Sequence, residues 1–452
     1  MLNILNPYPL VFCPAICYNI GMILKCPEVS GLKRVICILS TLCICMMLLP
    51  ARLNAAEICQ QSRFSSTFLQ NWLCRDWTEE RWIHEFSDAK AAGFDSLIIQ
   101  STYDIVRGDC TGNKQDMSSY PAAESFCMFP SEQYADYHSS QNGGDALALA
   151  LEAAKQTDMQ LWLGTVNDDM WWKFGWGIPD GQYFADWSAS NATICSELIA
   201  EIWSRYGTEY GDQIAGWYYV NEIWNMDAAC NGSDGGAYAK IIGDNIHATV
   251  QAVEQSCPEK PVLISPFYNP DLSSTSEYTA FLSEIIQNAE FRPQDIYAGQ
   301  DGGGKEYTPS VIREWTLAQS RAAAGTMQFW VNHECFNADF TAKPIEMLQT
   351  NFTATADLAE GHILFSWNHY YAQNPELNAQ FKNYTFEVLQ GDVNKDGVFD
   401  VSDIIAFQKW LLAVPDAEGK DWKAADFDAN GELDVYDLGL MKRALLAQKG
   451  LL

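Results

Sequence analysis

Eight short β-rich runs alternate with eight amphipathic helical runs between residues 60 and 388, and that alternation leaves the bulk of the chain very few folds. The strand candidates are Ser66–Gln70, Phe94–Ser101, Gln160–Val166, Ile214–Val220, Pro261–Phe267, Asp295–Gly299, Met327–Val331 and Ile363–Trp367. The helical candidates are Thr78–Ala92, Ala146–Thr157, Cys195–Tyr206, Tyr238–Ser256, Glu277–Asn288, Ser310–Ala324, Pro344–Glu360 and Pro375–Phe386. The strands are apolar runs bounded by turn residues, as strands buried on both faces should be. Eight such units over about 330 residues predict an α/β protein, a (β/α)8 TIM barrel over 60–388. A doubly wound open sheet is the alternative. It would want a Gly-rich turn after the first strand, and Gln70-Asn71-Trp72-Leu73 is not one. Extra length follows the second, third, fourth and sixth strands, at 102–142, 167–186, 221–237 and 300–308. In a barrel, such loops form the face that carries active sites.

The last sixty residues differ in kind. A twelve-residue acidic loop occurs twice, 34 residues apart. Both copies place oxygen-bearing side chains at positions 1, 3, 5, 9 and 12: Asp392, Asn394, Asp396, Asp400 and Asp403, then Asp426, Asp428, Asn430, Asp434 and Asp437. Gly397 and Gly431 fill position 6, and the carbonyls of Val398 and Glu432 would serve position 7. A hard cation needs six to eight oxygens, and the glycine permits the sharp turn between them, so two structural calcium ions are expected. An apolar helix follows each loop, while neither has a convincing helix before it. The unit is half an EF-hand used twice, a small all-α module of two F-hand repeats at 390–450.

This pattern resembles a type I dockerin, which implies a cohesin domain of a scaffoldin as partner. The resemblance places cohesin contacts at Val401, Ser402, Val435 and Tyr436, with Gln408, Lys409, Lys442 and Arg443 on the following helices. The near-duplication suggests two binding orientations.

Residues 1–56 read as a targeting segment. Lys33-Arg34 precedes an apolar run from Val35 to Leu49, and Leu53-Asn54-Ala55-Ala56 offers a cleavage site. Residues 1–21 read as an extension ahead of a true start at Met22; a retained membrane anchor is the alternative. The segment holds four basic residues against one acidic, so the −30 of the whole chain becomes −33 for the remainder. Such acidity disfavours nucleic acid or anionic membrane as a partner once the leader is gone, and suits a secreted protein handling a neutral substrate. Eight cysteines follow the leader at irregular spacing, without a CxxC pair. One or two disulfides are expected, with Cys110–Cys127 a candidate staple; buried thiols are the equal alternative.

Two strand ends carry the chemistry. The fourth strand ends Trp217-Tyr218-Tyr219-Val220-Asn221-Glu222, and the seventh Phe329-Trp330-Val331-Asn332-His333-Glu334. A Glu closing a mostly apolar strand is costly to bury without a task or a partner, and glycoside hydrolysis needs two facing carboxyls. The arrangement resembles clan-A (β/α)8 glycoside hydrolases, and residues 64–370 resemble a family of uncharacterised glycosyl-hydrolase-like barrels. The phrases that carry the second likeness are Thr67-Phe68-Leu69-Gln70, Gly216 to Glu222, and Ala298-Gly299-Gln300-Asp301. The clan-A likeness implies Glu222 as acid/base, Glu334 as nucleophile, Asn221 as donor to a sugar hydroxyl, and Trp367 under the reacting sugar. Gln100, Gln300 and Asp301 at strand ends are hydroxyl-binding candidates, and so are Asp168 and Asp169. Trp171, Trp172 and Trp176 are candidate stacking platforms. His333 reads as a packed supporting residue.

The sequence therefore points to a secreted, cell-surface cellulosomal glycoside hydrolase acting on a plant cell-wall polysaccharide, with a two-carboxylate retaining mechanism. Inversion stays open, because sequence spacing does not give the carboxyl separation. A barrel that only grips polysaccharide is the alternative. A carbohydrate esterase is disfavoured, since no Gly-x-Ser-x-Gly elbow occurs.

Overall fold

The computed structural model describes residues 64–107, 122–134, 137–175, 181–225, 235–383, 390–394, 399–414, 422–428 and 433–449. The expected leader, Cys110 and the Trp176 platform lie outside the described residues, as do Asp396, Val398, Asn430 and Glu432. Among the described residues, no helix is long and apolar enough to cross a membrane.

Twelve strands are described, numbered here in chain order. Eight of them close a parallel barrel: β1 (Ser66–Leu69), β2 (Ser96–Ile99), β6 (Gln160–Gly164), β8 (Ile214–Tyr219), β9 (Val262–Ile264), β10 (Ile296–Gln300), β11 (Gln328–Glu334) and β12 (Gly361–Phe365). They neighbour one another in chain order, and β12 pairs in parallel with β1 to close the ring. The eight expected strands are thus the eight barrel staves. Local signals fix the helices between them. Thr78 caps Glu79–Ala91, whose first turn carries Glu79 and Glu80 against the positive helix end. Ser274 and Glu277 form a capping box on Thr275–Ala289. The helix expected at Cys195–Tyr206 is longer, running Gly181–Tyr210.

The pleat sorts side chains into two layers. Phe68, Ile98, Trp162, Tyr218, Leu263, Ala298 and Ile363 fill the barrel interior. Alternate residues such as Leu69, Leu97, Trp217, Tyr219, Tyr297, Val331 and Leu364 pack outward under the helices. Trp162 and Trp330 meet edge-on in the interior, ring centroids 6.4 Å apart. Gly216 makes room for them, since a Cβ there would sit 2.4 Å from the Trp162 ring.

The sequence did not announce a second sheet. β3 (Tyr103–Arg107), β4 (Ala122–Cys127), β5 (Tyr137–His138) and β7 (Val166–Asp168) form a four-stranded sheet in the order β5-β4-β3-β7. It is built from the loops after the second and third barrel strands, where only irregular chain was expected. Within it, Arg107 of β3 is clamped to Asp168 of β7, with Nη2–Oδ2 2.5 Å and Nε–Oδ1 2.8 Å. Cys74, Cys127, Cys195, Cys257 and Cys335 are buried free thiols, so Cys127 makes no staple and the buried-thiol alternative holds for these five.

Candidate functional site

Strand parity decides which residues can meet. On β8 and its extension, Tyr218 and Val220 point into the barrel, so Glu222 continues that row at the mouth. On β11, Trp330 points inward, and Glu334 falls on the same face. On β10, Ile296 and Ala298 lead to Gln300. The three residues share the C-terminal rim.

The short segment Gln300–Gly304 joins the two carboxyls. The Gln300 amide hydrogen-bonds to the Glu222 carboxyl and donates to the Ser265 carbonyl, 3.0 Å away. Four residues on, the Gly304 N–H donates to Glu334 Oε2 at 2.6 Å. Gly302 takes φ +70°, and a Cβ there would lie 2.8 Å from the Tyr268 hydroxyl. A Cβ on Gly304 would lie 3.0 Å from Glu334 Oε2 and 2.3 Å from the Phe336 ring. The glycines let the turn fold tightly enough to reach Glu334.

Both carboxyls are hard to ionise. Burial pushes Glu222 up to about 7, with the Gln300 hydrogen bond pulling the other way. Burial also raises Glu334, aided by the negative charges of Asp301 and Glu222 and opposed by the Gly304 N–H and Lys343. The negative charge of Glu222 is one of the causes that raise Glu334, so ionising the first disfavours ionising the second. Replacing Gln300 with Met should remove the hydrogen bond that favours ionised Glu222. Its pKa should rise further, so the alkaline limb of any Glu222-dependent activity should move to higher pH, read from a pH profile of kcat/KM.

A buried charge network lies behind Glu334. Asp301 Oδ1 accepts from the Gly303 N–H at 2.8 Å and the Glu334 N–H at 3.2 Å. Its Oδ2 accepts from His333 Nδ1 at 3.0 Å. His333 Nε2 in turn lies 3.0 Å from His362 Nδ1. Burial works against an ionised Asp301, yet the His333 hydrogen bond, the positive character of His333 and Lys343, and the Gly303 N–H hold its carboxyl below the usual value. Tyr268 donates to the Asp301 carbonyl at 2.8 Å, so a tyrosine from the fifth strand's loop supports this turn. Lys343 and Tyr268 were not foreseen. Lys343 has only Pro344 beside it as a signal, and its burial shows only in three dimensions.

Several expected binders stand elsewhere. Asp301 is fully buried in the network just described, so it does not face a sugar. Gln300 lies inward, but its amide is engaged with Glu222 and Ser265. Asn221 has outward parity; its Nδ2 donates to Asn191 Oδ1 at 3.1 Å and to the Tyr219 hydroxyl at 3.2 Å, under the helices. Trp367 is fully buried and donates from Nε1 to Asn378 at 3.3 Å, behind the barrel wall. The inward position at the end of β12 belongs instead to half-buried Phe365, in register with Glu334. Trp171 is buried; its indole N–H donates to the Glu222 carbonyl at 2.9 Å, so it buttresses that strand end rather than meeting solvent. Asp168 is spent on Arg107 and the Trp187 indole, and Asp169 accepts from the Arg107 N–H. Gln100 stays half-buried at the tip of β2. Trp172 is 40% exposed. Its ring lies 6.5 Å from Phe267, which stacks at 5.2 Å on Trp224, so an aromatic surface does exist on the Glu222 side.

The acidic loops are alike in three dimensions. Asp403 accepts from the Asn394 and Asp400 N–H groups at 3.0 and 2.9 Å. Asp437 accepts from the equivalent Asp428 and Asp434 N–H groups at 3.4 and 3.0 Å. Carboxylate oxygens of Asp426, Asp428 and Asp437 lie within 4.8 Å of one another. Three converging carboxylates are an oxygen donor set that fits calcium and would repel one another without a cation. Asp392, Asn394, Asp400 and Asp403 would serve in the first loop, with Asp434 joining the second. The apolar helices are found at Val401–Leu411 and Val435–Gln448. Chelation with EGTA should unfold these repeats and leave the barrel intact, seen as loss of a separate low-temperature transition on calcium removal.

Residues 64–379 match the family described as Domain of unknown function (DUF4434), and residues 390–446 match the dockerin type I domain. Dockerin type I domains bind calcium and cohesins. No curated protein is significantly similar to the chain. Among solved structures, a Bacteroides thetaiotaomicron VPI-5482 protein named provisionally as an α-L-fucosidase aligns at 18% identity and TM-score 0.54, over 74% of this chain and 95% of its own. The endo-1,4-β-mannanase of Rhizomucor miehei aligns at 14% identity and TM-score 0.41, over 68% of this chain and 86% of its own. The fold is a (β/α)8 barrel. With its family match spanning the whole barrel, the chain belongs to DUF4434, a family of unknown function, and carries a C-terminal type I dockerin domain.

Proposed function

We propose that the barrel is a glycoside hydrolase, with Glu222 as acid/base and Glu334 as nucleophile in a retaining double displacement. The observation that carries this reading is the Gln300–Gly304 turn, which bonds to Glu222 through its first residue and to Glu334 through its last. Two carboxyls that continue inward-facing rows of the same rim are served by one five-residue turn. Glu222, with its pKa near 7, holds a proton at working pH and can give it to the leaving oxygen. Glu334 Oε2 is held by a backbone N–H, which leaves its other oxygen to attack the anomeric carbon. That step forms a glycosyl–Glu334 ester and breaks the glycosidic bond. Ionised Glu222 then takes a proton from water, whose oxygen displaces Glu334. Phe365 is the inward ring nearest in register to Glu334 and is the candidate for the surface under the reacting sugar.

Through its dockerin, the enzyme would be carried on a cohesin-bearing scaffold outside the cell and act on a plant cell-wall polysaccharide. Release of reducing ends from a polysaccharide panel, with the anomer of the first product read by proton NMR, tests both claims. No release by the wild type overturns the hydrolase reading, and an inverted first product removes the ester step.

A further inference from the structure

Two strands of the second sheet continue the barrel wall. β3 follows β2, and β7 follows β6, across short bends, and β3 pairs with β7 in parallel as β2 pairs with β6. They extend that wall past the rim that carries Glu222 and Glu334. Tyr103, Ile105 and Val166 pack into the outer core under the helices. Alternation turns Asp104, and Asn167 opposite it in register, to the other face, over the mouth. Asn71, shortly after β1, meets Asp104 there.

Asp104 stands apart from the carboxyls that hold the barrel together. Glu85, Asp168, Asp295 and Asp357 are buried, and each pairs with an arginine. Among the described residues, no cation pairs with Asp104. Its Oδ1 accepts from Ser101 Oγ at 2.8 Å and from Asn167 Nδ2 at 3.1 Å, and its Oδ2 accepts from Asn71 Nδ2. Burial, aided by the charge of Asp169, outweighs these three bonds and lifts the carboxyl above its usual value. Solvent still reaches Asp104, which is half-buried, as are Glu222 and Glu334. The amide oxygens of Asn71 and Asn167 have no donor among the described residues, nor has the side-chain amide of Gln100, inward at the tip of β2, any partner. Hydrogen-bonding capacity that the fold leaves unused thus gathers on one side of the mouth.

We infer that Asp104 is a specificity-determining residue: with the Asn71 and Asn167 amide oxygens and the Gln100 amide, it takes the hydroxyls of one neutral sugar unit on the β1–β2–β6 side of the mouth. The set is rich in acceptors, so it suits a unit that offers two adjacent free hydroxyls. A unit carrying a carboxylate meets an uncompensated negative charge there. The inference takes the place of the reacting sugar from the hydrolase reading and deepens it: the neighbouring unit must be uncharged and unsubstituted at those hydroxyls.

The test is isothermal titration calorimetry with cellohexaose, mannohexaose, xylohexaose and hexagalacturonate. The parent is the full chain carrying Glu222→Gln, so that nothing turns over. Asp104→Asn and Gln100→Ala are added to it separately, and each is checked for folding by circular dichroism. Asp104→Asn keeps the shape and can still accept from Ser101 and Asn167. At least one neutral hexasaccharide should bind, about tenfold more weakly with Asp104→Asn and a few-fold more weakly with Gln100→Ala. Hexagalacturonate should bind no more weakly with Asp104→Asn, since the opposing charge is gone. A structural role alone would weaken every ligand alike. Equal Kd values in all variants, parallel losses for neutral and acidic ligands, a parent that prefers hexagalacturonate, or no binding at all overturns the inference. Should Asp104→Asn misfold, Gln100→Ala decides alone, and an unchanged Kd there overturns it. Hydrolysis by the wild type is scored separately. Selective binding through Asp104 without sugar release sinks the hydrolase and keeps the specificity residue, while sugar release with unchanged Kd values does the reverse.

Discussion

Replacing Glu222 with Gln is expected to lower kcat on a natural glycan by about a thousandfold or more, since the variant has no proton to give and no base to accept one. The Gln300 amide can still donate to the new side chain's oxygen, so the local geometry should survive. The loss should shrink on aryl glycosides with good leaving groups, which need no protonation. Glu334→Gln should be equally poor on both substrates, because both require the attacking oxygen. Glu222→Gln should also stabilise the fold in alkali. Glu222 titrates near 7 in the folded chain against an ordinary value of 4.5. Folding therefore favours its protonated form. The cost is absent below about pH 4.5, grows as pH rises through that window, and is full above 7. At roughly 1.4 kcal/mol per pH unit, it reaches on the order of 3 kcal/mol. Thermal melts at pH 4 and pH 8 should show the variant level with wild type in acid and a few degrees higher in alkali. A variant that melts no higher at pH 8 would mean that the carboxyl is not desolvated.

Asp301→Asn should show the largest stability loss. The change keeps the volume but removes a buried negative charge placed between His333 and Lys343. Breaking such a network by deleting one partner costs about 3–5 kcal/mol, readable as a lower denaturant midpoint with an unchanged m-value. The same change has a catalytic signature that simple destabilisation lacks. The Asp301 charge raises the Glu334 pKa. Its loss should move the acid limb of kcat/KM to lower pH. An unmoved limb would mean that Asp301 acts on packing alone.

The strands, their order and the two carboxyls were legible because a buried parallel strand is a short apolar run, and a Glu at its end breaks that run. Parity was equally present and went unused. Counting by twos from Tyr218 sends Glu222 inward and Asn221 outward; counting from Ala298 sends Gln300 inward and Asp301 outward. The same count along β12 selects Phe365, while Trp367 lies past the strand end, where the chain turns and parity lapses. Trp171 was misread because an aromatic-rich loop looks alike whether its rings seal a core or face water. The second sheet was hidden because its strands are short, β7 is separated from the other three by a barrel strand, and β4 meets β3 across an irregular register. The burial of Lys343 in a loop and the pairing of His333 on β11 with His362 on β12 depend on segments that meet across the sequence, for which no local pattern exists.

The Gln300–Gly304 turn has a consequence for how this barrel can change. Because a single span contacts both Glu222 and Glu334, an insertion or deletion inside it would disturb the two carboxyls together, and in the proposed mechanism donor and attacker with them. The rings of Trp172, Phe267 and Trp224 stand outside that turn and can be exchanged one at a time. New sugar preferences in such a barrel should therefore arise from the periphery inward, with the length of that glycine turn the last thing to give way.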